Sequence, residues 1–316
     1  MKKYLFIINL LAIATQLAAQ TDADAIMMAK NNFCGGFTYT NSNWKNHWEG
    51  TFKRDNLNLG TISTNSYNMM GNYGISGKLN VLFNVPYINT KASAGTLKGQ
   101  KGLQDVSLWV KYMPLEKQIG NGTISVYALA GYSTPLSNYT PDFLPLSIGL
   151  RSKTTSLRAM VDYQLGSLFA TVSSTYMIRQ NVTLDRTSYY TTQLHNTNQV
   201  AMPNAILHQA RVGYRSSGLI AELTITDMKT MGGFDITKNN MPFVSNTMNA
   251  STIGANVKYT MLEKLYGLSF IGNINYTVAG RNVGQATTAG LGAFYIIDFT
   301  TTKKSTSAVN SSTPTN

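Results

Sequence analysis

The sequence predicts an all-β protein: a transmembrane, antiparallel, up-and-down β-barrel of about twelve strands, preceded by a short N-terminal helical segment. Three observations predict it. Only 13% of residues are charged, against about 25% in soluble domains, and Asn, Thr, Ser, Tyr and Gly fill the gap. Beyond the N-terminus there is no run of ~20 apolar residues for a spanning helix. Alternation with a period of two recurs almost to the end of the chain, in runs long enough to cross a bilayer at a tilt.

Taken in order, Lys2 and Lys3 precede a mostly apolar stretch, and Leu17-Ala18-Ala19 before Gln20 suits signal-peptide cleavage. Residues 1–19 are therefore expected to be a signal peptide. Residues 20–32 are expected as a periplasmic or plug segment, in which 22–30 (DADAIMMAK) could make a short helix. The barrel is expected over 33–299, and a Thr/Ser/Lys-rich tail over 300–316 is expected to be disordered.

The alternation is plain in Leu79, Val81, Phe83, Val85 and Tyr87, with Lys78, Asn80 and Asn84 between them. It recurs in Val106–Tyr112, Ala210–Tyr214, Leu219–Ile225, Ile253–Tyr259, Leu268–Tyr276 and Ala289–Phe299. Strands are drawn at 33–41, 58–73, 78–91, 102–114, 123–134, 148–164, 168–180, 206–216, 219–231, 251–262, 267–279 and 287–299. Their connections alternate short and long, as periplasmic turns and outer loops do in outer-membrane barrels, and the even count puts both barrel ends in the periplasm. A secreted sandwich would have strands of about 5–6 residues and a charged outer face. Tyr87, Tyr112, Tyr132, Tyr214, Tyr259 and Tyr295 sit toward the ends of their runs, where an interfacial girdle is expected.

Residues Tyr73-Gly74-Ile75-Ser76-Gly77-Lys78-Leu79-Asn80-Val81, continuing to Val85-Pro86-Tyr87, form a strand–turn–strand. Gly102, Asp105, Lys111 and Tyr112 follow in a Gly-x-x-Asp-x-x-x-x-x-Lys-Tyr pattern. This text, within about 68–134, resembles the outer-membrane transporter family named after the meta pathway of phenol degradation. The resemblance implies an outer-membrane barrel with a transport role and supplies no catalytic residues.

If the apolar positions face lipid, the lumen receives Asp105, Lys111, Arg158, Asp162, Arg179, Arg211, Arg215, Glu222 and Lys258, because charge on the lipid face costs ~2–4 kcal/mol near the midplane. That set is more basic than acidic, which favours anionic or polar solutes. Cross-strand pairing is the competing use, with Arg211 and Arg215 toward Glu222 and Arg158 toward Asp162. The formal charge of +12 is spread along an exported chain, so nucleic acid is not the expected partner. The expected partners are outer-membrane lipid and lipopolysaccharide, a small-molecule solute and the barrel-assembly machinery, which could read Phe299.

No enzyme is expected. The chain has three histidines (His47, His195 and His208) and no Gly-x-Ser-x-Gly. His47 lies in Trp44-Lys45-Asn46-His47-Trp48-Glu49, an aromatic loop expected to cover the mouth or touch sugar. Cys34 is the only cysteine and is expected as a small strand residue; no metal or cofactor motif is present. The leading expectation is a passive channel for small, including aromatic or hydrophobic, compounds in the outer membrane. The alternative is a non-conducting barrel that anchors a surface or secretion complex.

Overall fold

Residues that alternate between apolar and polar can satisfy every backbone group in hydrocarbon only by closing the sheet on itself. The computed structural model, which describes residues 21–237, 242–262 and 267–300, does so. Twelve strands form a closed antiparallel barrel: β1 (Asn32–Trp44), β2 (Ile62–Ser76), β3 (Leu79–Ala92), β4 (Asp105–Ile119), β5 (Gly122–Pro135), β6 (Thr154–Leu165), β7 (Leu168–Arg179), β8 (Asn204–Arg215), β9 (Leu219–Met231), β10 (Asn249–Thr260), β11 (Leu268–Arg281) and β12 (Thr287–Asp298). Each pairs with its sequence neighbours, and β1 closes the ring on β12, with Phe37 opposite Ala293. One extra strand, Lys101–Leu103, pairs with β3.

The turns at one end are tight. Gly120 and Gly166 take φ of +61° and +60°, the left-handed conformation that two-residue hairpins require. The proposed signal peptide, the tail beyond Thr300 and the whole of the expected turn at 263–266 lie outside the described residues.

Several boundaries differ from the sequence-based expectation. β6 begins at Thr154 and not at 148, because Leu146 and Ile148 leave the sheet and turn inward. β2 begins at Ile62 and not at 58, since Leu59 joins the same inner cluster as Leu146. β4 runs on to Ile119 past an irregularity between Tyr112 and Leu115, where Pro114 cannot donate to the ladder.

Outward positions carry large apolar exposure around the ring, including Leu108 (52%), Leu223 (62%) and Leu291 (70%). A continuous belt of this kind is far larger than the apolar patches of soluble monomers and places the barrel in the outer membrane. Tyrosines mark both rims. Tyr112, Tyr214, Tyr259 and Tyr295 stand at the short-turn end; Tyr39, Tyr67 and Tyr87 meet in tilted ring contacts toward the loop end, with centroids 5.2 and 6.4 Å apart. Beyond Ile225, the outward Asp227 and Lys229 pair at 3.1 Å, where the apolar belt gives way to polar surface.

This topology predicts opposite labelling at the two ends. Cysteines at Thr96 and Asn196, both exposed in long loops, should react with an impermeant maleimide on intact cells. One at Ser217, in a short turn, should react only after the outer membrane is opened. The native Cys34 is buried and should stay silent. Labelling in the reverse order would mean the barrel is inverted.

Candidate functional site: the barrel interior

The inward face begins with the N-terminal segment. Residues 22–25 form a bend and 26–29 run without regular structure, so the short helix expected at 22–30 is absent. Nine residues are too few for an isolated helix, and aspartates compete for their own backbone. Asp24 does so here: its carboxylate accepts from Thr21 N at 2.6 Å and Ile26 N at 3.2 Å.

The carbonyls that a helix would have used are taken by the barrel wall. Lys111, fully buried on β4, reaches the carbonyls of Thr21 (3.3 Å), Asp24 (2.6 Å) and Ile26 (2.9 Å). It also pairs with the Asp24 carboxylate at 3.0 Å. Arg158 on β6 donates to Asp22 through both its carbonyl (2.6 Å) and its carboxylate (3.1 Å). Tyr127 donates to Ala25 O at 2.8 Å. Met28 packs on Cys34, Phe294 and Ile296, and Ala25 packs on Met113, Tyr127, Leu129 and Met160. At Gly74 a side chain would collide with the carbonyl of Ala29, so this glycine lets the segment lie against β2.

The other charged residues selected from the sequence also point away from the apolar belt. Arg215 binds Asp162 through Nη1 at 3.0 Å and Nη2 at 3.3 Å, and its guanidinium stacks 3.9 Å over Phe169. Arg211 pairs with Glu222 at 3.3 Å, and Asn256 donates to the same carboxylate oxygen at 2.9 Å. Lys258 is 9% exposed on β10. Asp105 and Arg179 stand apart near the loop end: Asp105 accepts from Tyr139 at 2.6 Å, and Arg179 reaches Pro203 O at 3.4 Å.

The expected pairing of Arg211 with Glu222 is present. Arg215 turns to Asp162 instead, and the expected Arg158–Asp162 pair does not form. Positions i and i+4 on one strand are about 13 Å apart, too far for contact, whereas a neighbouring strand or the inner segment is close. Asp22 and Asp24 were not among the residues expected to line the lumen. Their signal was the DADA run beside an apolar cluster; two carboxylates so close to the first strand could only face water or a basic wall.

Two hollows flank the segment. One of about 320 Å³ lies between it and β8–β12, lined by Arg211, Arg215, Glu222, Lys258, Ile271 and Phe294 among others. The other, of about 410 Å³, opens toward the short turns beside Glu116, Gln118, Asn121 and Gly166. Arg215 borders both.

At the loop end, residues 136–153 fold inward. Leu146 is fully buried against Leu59 and Ile62, with its carbonyl held by Thr90 Oγ1 at 2.5 Å; Ile148 packs on Ile88 and Tyr139. Val182, Leu184, Tyr189, Val200, Met202 and Val244 join the loops above into an apolar cluster. Asp235 ties residues 232–237 to the end of β11, accepting from Arg281 at 2.6 and 2.7 Å; these bonds hold its carboxyl below the usual range. Asn46–Glu49 and Phe52–Asp55 form a hairpin that docks on the β11–β12 rim, where Trp48 is buried and bonds Val283 O. His47 sits in that hairpin, His195 stacks on Tyr189 at 4.8 Å, and His208 lies on β8 opposite Asp227.

No family model matches the chain, and no curated protein matches it. Among solved structures it is similar to an outer membrane channel from Pseudomonas putida F1, with a TM-score of 0.70 at 11% identity, over 88% of this chain and 100% of that one. More distant likenesses are the KdgM porin (TM-score 0.43, 8% identity, 82% and 98% covered) and the outer membrane protein OprD from Pseudomonas aeruginosa (0.38, 9%, 87% and 95%). The first of these likenesses is one of fold.

Proposed function

We propose that the protein is a passive outer-membrane channel for small solutes, closed in this conformation by its own N-terminal segment. The carrying observation is that the interior is hollow and carries buried ion pairs, and that a segment held by ion pairs and hydrogen bonds lies between two cavities. A barrel with only a scaffolding role would gain more stability from a dry, close-packed interior than from buried charges. The resemblance of about 68–134 to a transporter family and the shared fold with an outer membrane channel support the same reading.

In this reading the nine charged residues Asp105, Lys111, Arg158, Asp162, Arg179, Arg211, Arg215, Glu222 and Lys258 line the path. Six are basic, and Asp22 and Asp24 from the segment offset part of that excess. Lipopolysaccharide surrounds the loop end, and the exposed Phe299 after β12 serves the assembly machinery. The scaffolding alternative has one observation in its favour, the complete burial of Lys111 under the segment.

Planar-bilayer recording of the purified chain tests the proposal. Discrete steps with a weak anion preference in a salt gradient are expected. A clear cation preference would overturn the assignment of the basic residues to the path. Silence, in the parent and in variants whose segment is released, would favour the scaffold.

A further inference from the structure

We propose that the outer wall of β1–β3 and the extra strand, at the loop end, binds the phosphorylated amino-sugar headgroup of lipopolysaccharide. Lys91 and Lys101 take the phosphate, and the amides of Asn41, Asn65 and Asn89 take the sugar. The site lies outside the lumen, so it stands or falls apart from the channel reading. Strand register builds it in three rungs. Tyr39 opposes Tyr67, Tyr67 opposes Tyr87, and Tyr87 opposes Leu103. Opposed residues of an antiparallel sheet share a face, and all four side chains are exposed, so this is the face turned to lipid. Two residues further toward the loops, about 7 Å along each strand, the same register aligns Asn41, Asn65, Asn89 and Lys101. The rung above holds Asn43, Ser63 and Lys91.

The tyrosine rung marks where acyl chains end, because rings with one polar edge gather at the membrane–water interface. The rung above it therefore meets headgroups. Asparagine is depleted in strands, so strand propensity does not account for three aligned amides at this level. Nor are they loose. Tyr39 donates through its hydroxyl to Asn65 Oδ1 at 2.8 Å, Asn41 Nδ2 donates to the same oxygen at 2.8 Å, and Asn43 donates to Asn41 Oδ1. A fixed row of groups that both donate and accept suits the hydroxyls and amide of an amino sugar. A glycerophospholipid offers fewer such partners.

Charge supplies the second observation. β1, β2, β3 and the extra strand contain no Asp or Glu, and residues 93–100 add only Lys98. Lys101 opposes Asn89, and Lys91 lies two residues beyond it, so the lysines are diagonal neighbours about 7–8 Å apart. Both are exposed, and among the described residues no ion pair uses either. Lys229, also outward at the loop end, is paired with Asp227 instead. Two unpaired ammonium groups this close repel, and one phosphate between them accepts from both. Basic groups clustered at a membrane surface recognise phosphorylated headgroups in this way.

Native mass spectrometry of the purified full chain in detergent is the test, with diphosphoryl lipid A, dephosphorylated lipid A and phosphatidylglycerol as probes at equal concentration. Diphosphoryl lipid A should bind at one per chain, at least tenfold tighter than either of the others. The Lys91→Gln, Lys101→Gln double variant should lose at least tenfold in affinity for it. Asn65→Leu should weaken lipid A at least threefold and leave phosphatidylglycerol unchanged. Lys153→Gln, which removes an exposed lysine beside β6, should change lipid A binding less than twofold. Each variant must keep heat-modifiable migration to count as folded, and these exposed substitutions leave the ladder intact. Equal binding of phosphatidylglycerol would remove the sugar from the site, and a loss in Lys153→Gln as large as in the double variant would reduce it to rim charge at large; either result overturns the proposal. So would a folded parent that takes up no lipid A. None of these failures touches the channel, because no residue of the array faces the lumen.

Discussion

Protein carrying Asp22→Asn and Asp24→Asn is expected to conduct in steps severalfold larger than the parent, and more often. Asp24 is the counter-charge of Lys111, whose side chain is fully buried while that of Asp24 is 15% exposed. Removing one partner of such a pair leaves an uncompensated buried charge and costs about 3–5 kcal/mol. Asp22 is 30% exposed and adds less, as solvent already screens it. At about 1.4 kcal/mol per tenfold, losing even 3 kcal/mol moves the bound–released equilibrium of the segment more than a hundredfold. The carbonyl contacts to Lys111 and Arg158 remain in the amide variant, so release is a population shift and not a complete loss. Gly74→Ile gives an independent route, because its side chain would occupy the place of the Ala29 carbonyl and alter no charge. Both variants should also expose the segment to protease added from the periplasmic side. Segment cleavage without any rise in conductance would place the constriction elsewhere and end its role as the plug.

Leu146→Asp is expected to unseat the 136–153 loop, and trypsin should then cut after Arg151 and Lys153 at least tenfold faster. Leu146 is fully buried in a cluster with Leu59 and Ile62, and its carbonyl accepts from Thr90. Truncating such a leucine costs about 2–5 kcal/mol, and a carboxylate in its place adds a desolvation penalty. The barrel ladder is untouched, so heat-modifiable migration should persist. Unchanged trypsin resistance in a folded variant would mean that the inward fold of the loop does not depend on this apolar anchor. Combined with the segment variants, it also separates the two closures: if the loop narrows the outer mouth, the triple variant should conduct more than either alone.

The barrel itself was legible in the sequence because its cause is local. Membrane strands must alternate with period two over their whole length, and Val106-Ser107-Leu108 or Leu223-Thr224-Ile225 state their two faces without reference to any partner. Strand number, the alternation of turn and loop, and the inward direction of Lys111, Arg158, Arg211 and Arg215 all follow from that period. Boundaries were less legible wherever an apolar residue served the interior instead of the lipid, as Leu59, Leu146 and Ile148 do. Alternation cannot tell an apolar group buried by protein from one buried by lipid.

What the sequence by itself determined is therefore the class of structure, its residence in the outer membrane and the face each strand residue occupies. The tertiary structure alone decided which charges meet. Arg215 finds Asp162 two strands away, Arg158 finds Asp22 and Lys111 finds Asp24, 87 residues earlier in the chain. Pairing of that kind depends on the stagger of strands around a closed ring and on where a short irregular segment comes to rest. Both are set by the geometry of closure and by the sum of many weak contacts, and neither has a period that can be read along the chain.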